Sequence, residues 1–138
     1  MTRWTHLALA ILGSVLVGCA PAIGDSCETS ADCSVNGDRI CDNAYPGGYC
    51  TVVGCDTDTC PDDAVCVEWR FSPDRTASTY CMASCGGDGD CRGADYACMG
   101  DADERLQDEE GQPIARSLDS NVSESTRYCV GINAEPLE

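Results

Sequence analysis

The chain has 138 residues, with 13 Cys, 14 Gly and 6 Pro, and its 24 acidic residues outnumber 8 basic ones, all Arg. A short chain with about a tenth of its residues as Cys is typical of a disulfide scaffold. The formal net charge of -16 at pH 7 excludes nucleic acid as a partner, because binding there depends on neutralising phosphates, and it excludes electrostatic attachment to an anionic membrane.

The first residues predict an export signal. Arg3 precedes a nearly uninterrupted apolar run from Leu7 to Val17, which ends in small residues, as in the n-region and h-region of a signal peptide. The run is shorter than the roughly 20 residues that a membrane-crossing helix needs. We therefore predict a signal peptide over residues 1–18, and not a transmembrane anchor.

The sequence Leu16-Val17-Gly18-Cys19 resembles the lipobox of bacterial lipoproteins. The resemblance implies cleavage before Cys19, a diacylglycerol thioether on its sulfur, and an acyl chain such as palmitate on the new amine. Lipidation of Cys19 leaves 12 cysteines, an even number that calls for no intermolecular partner and no free thiol.

Ordinary signal-peptidase cleavage is the alternative. Ala20-Pro21-Ala22 has the A-x-A form of such a site, and cleavage after Ala22 would also leave 12 cysteines while releasing a secreted protein. With Cys19 lipidated, residues 19–26 would be the anchor and a flexible tether, held stably on a membrane. Ala20 stands where an inner-membrane retention Asp would stand, so the lipobox resemblance implies the bacterial outer membrane, facing either the periplasm or the medium.

The other cysteines form three sets of four, which we call the first (27–50), second (55–81) and third (85–129) modules. Successive cysteines are separated by 5, 7 and 8 residues in the first module, by 4, 5 and 14 in the second, and by 5, 6 and 30 in the third. A Tyr precedes the fourth Cys of every module, so the sequence predicts an internal repeat. The predicted disulfide cysteines are Cys27, Cys33, Cys41, Cys50, Cys55, Cys60, Cys66, Cys81, Cys85, Cys91, Cys98 and Cys129.

Disulfides suit these modules better than zinc. Each module has too few apolar residues for its own core, and a bridge that closes a loop of about 15 residues stabilises by roughly 3 kcal/mol. Structural zinc sites favour two to four residues between paired cysteines and a reducing compartment, so we predict no metal. Pairing within modules allows about 27 patterns, between which the sequence does not choose. The working hypothesis is first with third and second with fourth.

The predicted fold class is small and disulfide-rich, with three tandem four-Cys modules, short β-hairpins and mostly irregular loops. Residues 49–53 and 64–69 are the β-rich runs, bounded by turn residues. The third module contains a long acidic loop, 99–127, in which a capping-box pattern begins at Asp101. Because the loop has almost no apolar residues, we expect it to be mobile over most of its length. Residues 130–138 are a predicted C-terminal tail.

The spacing Cys-x5-Cys-x7-Cys-x8-Tyr-Cys, with the Tyr placed next to the fourth Cys, is similar to small modules of the EB and Dickkopf N-terminal cysteine-rich kind. The segment 90–98, with the sequence DCRGADYAC, also resembles tandem cysteine-rich lipoproteins of myxobacteria. The resemblance implies a binding or surface protein. The 30-residue gap of the third module departs from this pattern.

The composition argues against catalysis. After removal of the signal peptide the chain has no His and no Lys, which removes the usual bases of hydrolytic triads. We therefore predict no catalytic residue and no cofactor, and an enzyme is only a third interpretation, without residues to name.

Two motifs leave alternatives open. Aspartates around Cys60 and beside Gly89 offer hard oxygen ligands for calcium, but they do not fit an EF-hand loop, and turn formation is the other explanation. Trp69 and Phe71 are either an interface patch or side chains packed over the disulfides of the second module. The calcium candidates are Asp56, Asp58, Asp62, Asp63, Asp88 and Asp90.

These observations together predict a non-catalytic, lipid-anchored cell-envelope protein that binds or presents surface through acidic modules. Its partners would be the membrane, through the lipid, and a protein or glycan that the sequence does not identify. The alternative is a secreted, toxin-like or inhibitory knot that is released after Ala22.

Overall fold

The computed structural model describes residues 20–71 and 76–132. The predicted signal peptide, Cys19 and residues 133–138 lie outside this part of the chain. The described residues form small sheets of short antiparallel strands, with one α-helical turn at Ser30–Cys33 and 3-10 turns at Asp88–Asp90 and Glu104–Leu106. The predicted fold class, small and disulfide-rich with hairpins, is confirmed.

Each module contains one antiparallel strand pair, which we call its hairpin, in which the third and fourth cysteines are cross-strand partners. These partners are Cys41 and Cys50, Cys66 and Cys81, and Cys98 and Cys129. In the third module the two strands of this pair are connected by residues 100–127. The strands in chain order are β1 (Ile40–Asp42), β2 (Tyr49–Thr51), β3 (Ala64–Phe71), β4 (Thr76–Ala83), β5 (Tyr96–Met99), β6 (Ala115–Ser117) and β7 (Tyr128–Gly131).

Six disulfides join the first Cys to the third and the second to the fourth in every module, which is the pairing of the working hypothesis. The third and fourth cysteines sit side by side on the hairpin, so both bridges of a module pull its N-terminal loop onto that hairpin. The bridges are Cys27–Cys41, Cys33–Cys50, Cys55–Cys66, Cys60–Cys81, Cys85–Cys98 and Cys91–Cys129.

The three modules share a hydrophobic core. Tyr49 of the first module, Val67 of the second and Tyr128 of the third lie within it, as does Met82 near the end of β4, and all four are almost fully buried. Such sharing offsets the small number of apolar residues in each module. No helix in the described part of the chain is both long and apolar enough to cross a bilayer.

The long acidic loop 99–127 is more ordered than we predicted. Strand β6 leaves the third module and pairs with β3 of the second, where Arg116 stands opposite Glu68. Within the capping-box region that begins at Asp101, the structure forms a 3-10 turn at Glu104–Leu106, which buries Leu106. The expectation of a mobile loop was wrong because β3 supplies a sheet edge that the local composition does not reveal.

The two predicted terminal segments also need correction. Residues 20–26 are not a free tether, because Ile23 is only 4% exposed and packs in the shared core. Gly24 donates its N–H to the Cys50 carbonyl oxygen, and the Cys50 N–H is donated to the Asp25 carbonyl oxygen, each at 2.9 Å. The predicted tail 130–138 begins within β7.

Candidate functional site

All twelve predicted disulfide cysteines are in bridges, so their sulfurs are not free for metal binding. Three of them in each module lie within 4.8 Å of one another. Metal ligation requires a deprotonated thiol, whereas each of these sulfurs is already bonded to a second sulfur.

The Tyr49 hydroxyl connects all three modules. It accepts the N–H of Ala83, the last residue of the second module's strand β4, at 2.8 Å and lies 3.4 Å from the Cys129 carbonyl oxygen of the third module, to which it donates. Burial raises the pKa of Tyr49 above its ordinary value, so the hydroxyl keeps the proton that it donates. A Tyr before the fourth Cys, seen in the sequence as a repeat signature, is in this module a joint between modules.

A tyrosine–arginine cluster, formed by Tyr45, Tyr49, Arg92 and Tyr96, joins the first module to the third. The Arg92 guanidinium carbon lies 4.7 Å from the centroid of the Tyr96 ring, a cation–π contact. Its Nη2 donates to the carbonyl oxygens of Pro46 at 2.8 Å and Gly48 at 2.5 Å. The three rings have neighbouring centroids 5.1 to 6.3 Å apart. We did not foresee this cluster, because its members are close only after folding.

Trp69 is buried and is not an exposed interface residue. Its ring meets that of Tyr128 edge to face, with centroids 6.4 Å apart. Trp69 is therefore a core side chain rather than an interface patch, and its aromatic partner comes from the third module. The side chain of Phe71 lies outside the described residues.

Several of the calcium candidates serve as hydrogen-bond acceptors within the chain. The Asp58 carboxylate accepts the N–H of Ser120 at 2.9 Å and its hydroxyl at 2.5 Å. Asp90 accepts the N–H groups of Gly86 and Gly87, and Asp88 accepts that of Cys98. These contacts fit the turn explanation.

Two aspartates hold the long segment 99–127 in place: Asp101, at the start of the capping-box pattern, and Asp119, which no sequence motif marks. The Asp101 carboxylate accepts the Ser117 N–H and hydroxyl and the Tyr128 hydroxyl at 2.9 to 3.1 Å. The Asp119 carboxylate accepts the N–H groups of Asp58 and Cys66 at 2.8 and 3.0 Å. In the sequence, the only indication of this role is that one aspartate precedes and one follows the short run that forms β6.

A cavity of about 440 Å³ lies between the second module and the end of this segment. Its wall is largely polar, and the carboxylates of Asp58 and Asp119 that line it are already engaged by backbone N–H groups and by Ser120. The remaining lining residues are Cys60, Pro61, Asp62, Ala64, Val65, Ser84, Asn121, Val122 and Thr126.

The electrostatics of the described carboxyl groups favour the ionised form. Wherever a carboxyl pKa departs from its ordinary value it is lowered, because the carboxylate accepts hydrogen bonds. The hydrogen bonds from Arg105 lower the pKa of Asp103 to about 2. The other lowered groups are Asp32, Asp38, Asp58 and Glu68.

Comparison with known proteins gives no match. No protein-family model, no curated protein and no solved structure matches the chain.

Proposed function

We propose that the protein is a non-catalytic lipoprotein of the bacterial outer membrane, anchored through Cys19, whose disulfide-stapled acidic modules bind a partner or present surface. The lipobox at residues 16–19, the even number of remaining cysteines and the resemblance to tandem cysteine-rich lipoproteins support it. The partner is a protein or glycan, since the net charge of -16 disfavours polyanions.

The observation that carries this proposal is the packing of residues 21–25, which we call the docked segment. The Pro21 carbonyl oxygen accepts a hydrogen bond from Arg39, and the Ala22 N–H donates to the Asp25 carboxylate at 2.8 Å. Cleavage before Cys19 leaves both contacts in place. Cleavage after Ala22 removes them and puts a charged amine on Ile23, whose side chain is buried, and burial of a charge is costly.

A non-catalytic role agrees with the chemistry of the described residues. General acid catalysis near neutral pH needs a carboxyl group with a raised pKa, whereas the shifts found here are downward. The buried tyrosines have pKa values raised by desolvation and are engaged in packing.

The test is the intact mass of the native protein before and after reduction and alkylation, with sequencing of its N-terminal peptide. We expect a chain that begins at Cys19 with a lipid mass, and 12 alkyl groups gained only after reduction. The control is a chain produced without residues 1–18 and with Cys19→Ser, which keeps the other twelve cysteines but has neither signal peptide nor lipid. It should be absent from the membrane fraction.

A lipid-free chain that begins at Ile23 would contradict the anchor. It would favour the secreted, toxin-like or inhibitory knot, which a panel of proteases would then test for inhibition.

A further inference from the structure

The docked segment leaves little freedom between a lipid on Cys19 and the folded body. An extended chain spans at most about 3.6 Å per residue, so Cys19 lies within roughly 14 Å of Ile23. Pro21 and Ala22 are already fixed by hydrogen bonds to Arg39 and Asp25. The free part of the connection is therefore Ala20 and the bond to Cys19.

The part of the body beside this connection is one loop of the first module. Arg39, which holds the Pro21 carbonyl oxygen, ends a turn that is closed by a hydrogen bond from the Ser34 hydroxyl to the Asp38 carboxylate. Val35 at the outside of this turn is 94% exposed, and Ile40 on its far side is 39% exposed. We call residues 34–40 the anchor loop.

We propose that the anchor loop lies against the bilayer that holds the acyl chains, with Val35 at the lipid headgroups. This inference rests on the proposed function and extends it, since it assigns the membrane-facing surface of the body. Three features support it: the short connection, the Arg39 contact that places the loop beside it, and an apolar side chain that projects into solvent. Asp38 and Arg39 carry opposite charges, so the loop brings little net repulsion.

The contact depends on tethering and not on intrinsic affinity. A short linker gives the loop a high effective concentration at the surface, whereas one exposed valine and a chain of net charge -16 would not bind vesicles alone. A lipid-free chain that is produced without residues 1–18 and carries Cys19→Ser should therefore remain in solution beside neutral phosphatidylcholine vesicles.

The experiment places a tryptophan in the loop of the lipidated full-length protein. Trp4 leaves with the signal peptide, so Trp69, which is buried, is the background emission and is measured in the unsubstituted protein. In phosphatidylcholine vesicles with a spin label on the headgroup, Val35→Trp is expected to lose most of its added fluorescence. The matched control is Ala77→Trp, another exposed apolar position.

Ala77 suits this purpose because of its distance from the anchor. A Cβ on Gly24 would lie 3.0 Å from the Ala83 Cβ, and Ala77 is six residues from Ala83 along β4, about 20 Å at 3.3 Å per residue. We expect its fluorescence to be quenched much less. A flexible Gly-Ser spacer inserted between Ala20 and Pro21 should abolish the quenching at position 35.

The outcomes are distinct. Vesicle-bound protein with equal quenching at the two positions, or with none at position 35, overturns the assignment of the anchor loop and leaves the lipid anchor standing. Quenching at position 35 that the spacer leaves unchanged overturns the dependence of the contact on the short connection. A protein without lipid mass that does not float with the vesicles overturns the anchor and this inference together.

Discussion

Tyr49 shows how a single hydroxyl can join three small units that have no sufficient core of their own. In water the hydroxyl would be fully hydrated, so its net value lies in satisfying groups that folding buries. The Ala83 N–H is such a group, because it donates to the Tyr49 hydroxyl. Tyr49 is only 1% exposed, so water would not take the place of a missing hydroxyl.

We expect Tyr49→Phe to lower the free energy of unfolding by about 1–3 kcal/mol, the cost of leaving a buried donor unpaired. The control is Tyr80→Phe, at the same position of the second module, where no hydroxyl hydrogen bond is found among the described residues. Denaturant unfolding followed by Trp69 fluorescence measures both. An equal effect of the two substitutions would contradict the role of the hydroxyl.

Gly48 is important for a different reason, because its backbone lies close to the Cys27–Cys41 disulfide. It has φ of +70°, and a Cβ there would lie 2.1 Å from the Cys27 carbonyl oxygen and 2.8 Å from the sulfurs of Cys27 and Cys41. We expect Gly48→Ala to hinder formation of the Cys27–Cys41 disulfide, which stabilises the folded state by about 3 kcal/mol.

Gly37→Ala is the matched control for Gly48→Ala. Gly37 has a similar φ of +77° but open space around its Cβ position, so the backbone strain is shared and only the clash differs. Oxidative refolding, with the disulfides counted by mass, should give incomplete bridging for Gly48→Ala alone. Full bridging in both variants would contradict this prediction, because it would show that the atoms around Gly48 move aside to admit a methyl group.

At the level of elements, β6 is held by tertiary contacts rather than by its own propensity. It has only three residues, and the Asp101 carboxylate binds Ser117 on the strand and Tyr128 on β7. Hydrogen bonds to a charged acceptor are worth about 1.5–3 kcal/mol each. Asp101 therefore decides whether the strand stays on the sheet.

We expect Asp101→Asn to raise amide hydrogen exchange across residues 115–117, because the neutral amide accepts more weakly and retains only one acceptor oxygen. The control is Glu124→Gln, an exposed position in the same segment with the same change of charge. If exchange in β6 were unaffected by Asp101→Asn, or equally raised by both, the carboxylate would not be what fixes the strand.

The repeat and the disulfide-rich class could be predicted because the residues that form the covalent cross-links are visible in the sequence, and their spacing recurs from module to module. The order of 99–127 and of 20–26 could not, since each depends on one or two apolar side chains, such as Leu106 and Ile23, that find their partners in another module. Local composition reports the average of a segment. Burial here is decided by single residues.

For the molecule as a whole, the acidic composition predicts a pH dependence. Asp103 has its pKa lowered from 3.8 to about 2 in the folded protein, so the stabilisation it brings is present above the unfolded pKa and is lost as the pH falls through 2. Asp32, Asp38, Asp58 and Glu68 are shifted in the same direction.

We therefore expect the free energy of unfolding to fall between about pH 4 and pH 2 with all disulfides intact. Denaturant titrations at several pH values, read by Trp69 fluorescence, would measure the slope. Asp103→Asn should remove a small part of this slope. The Arg105 side chain is 55% exposed and that of Asp103 is 22% exposed, and ion pairs open to solvent contribute about 1 kcal/mol or less. A free energy of unfolding that stayed constant or rose on acidification would contradict the conclusion that these ionised carboxylates stabilise the folded protein.

The interlaced pairing of cysteines also determines what happens when the backbone is cut. In each module the bridges from first to third and from second to fourth overlap, so a peptide bond broken anywhere between the first and fourth Cys leaves the two pieces covalently joined. Between Cys27 and Cys129, only cuts at 50–55 or 81–85 fall outside a bridge, and both stretches are short. Even a nick in the long segment of the third module would therefore shed no fragment, and the damage would become visible as separate chains only after reduction.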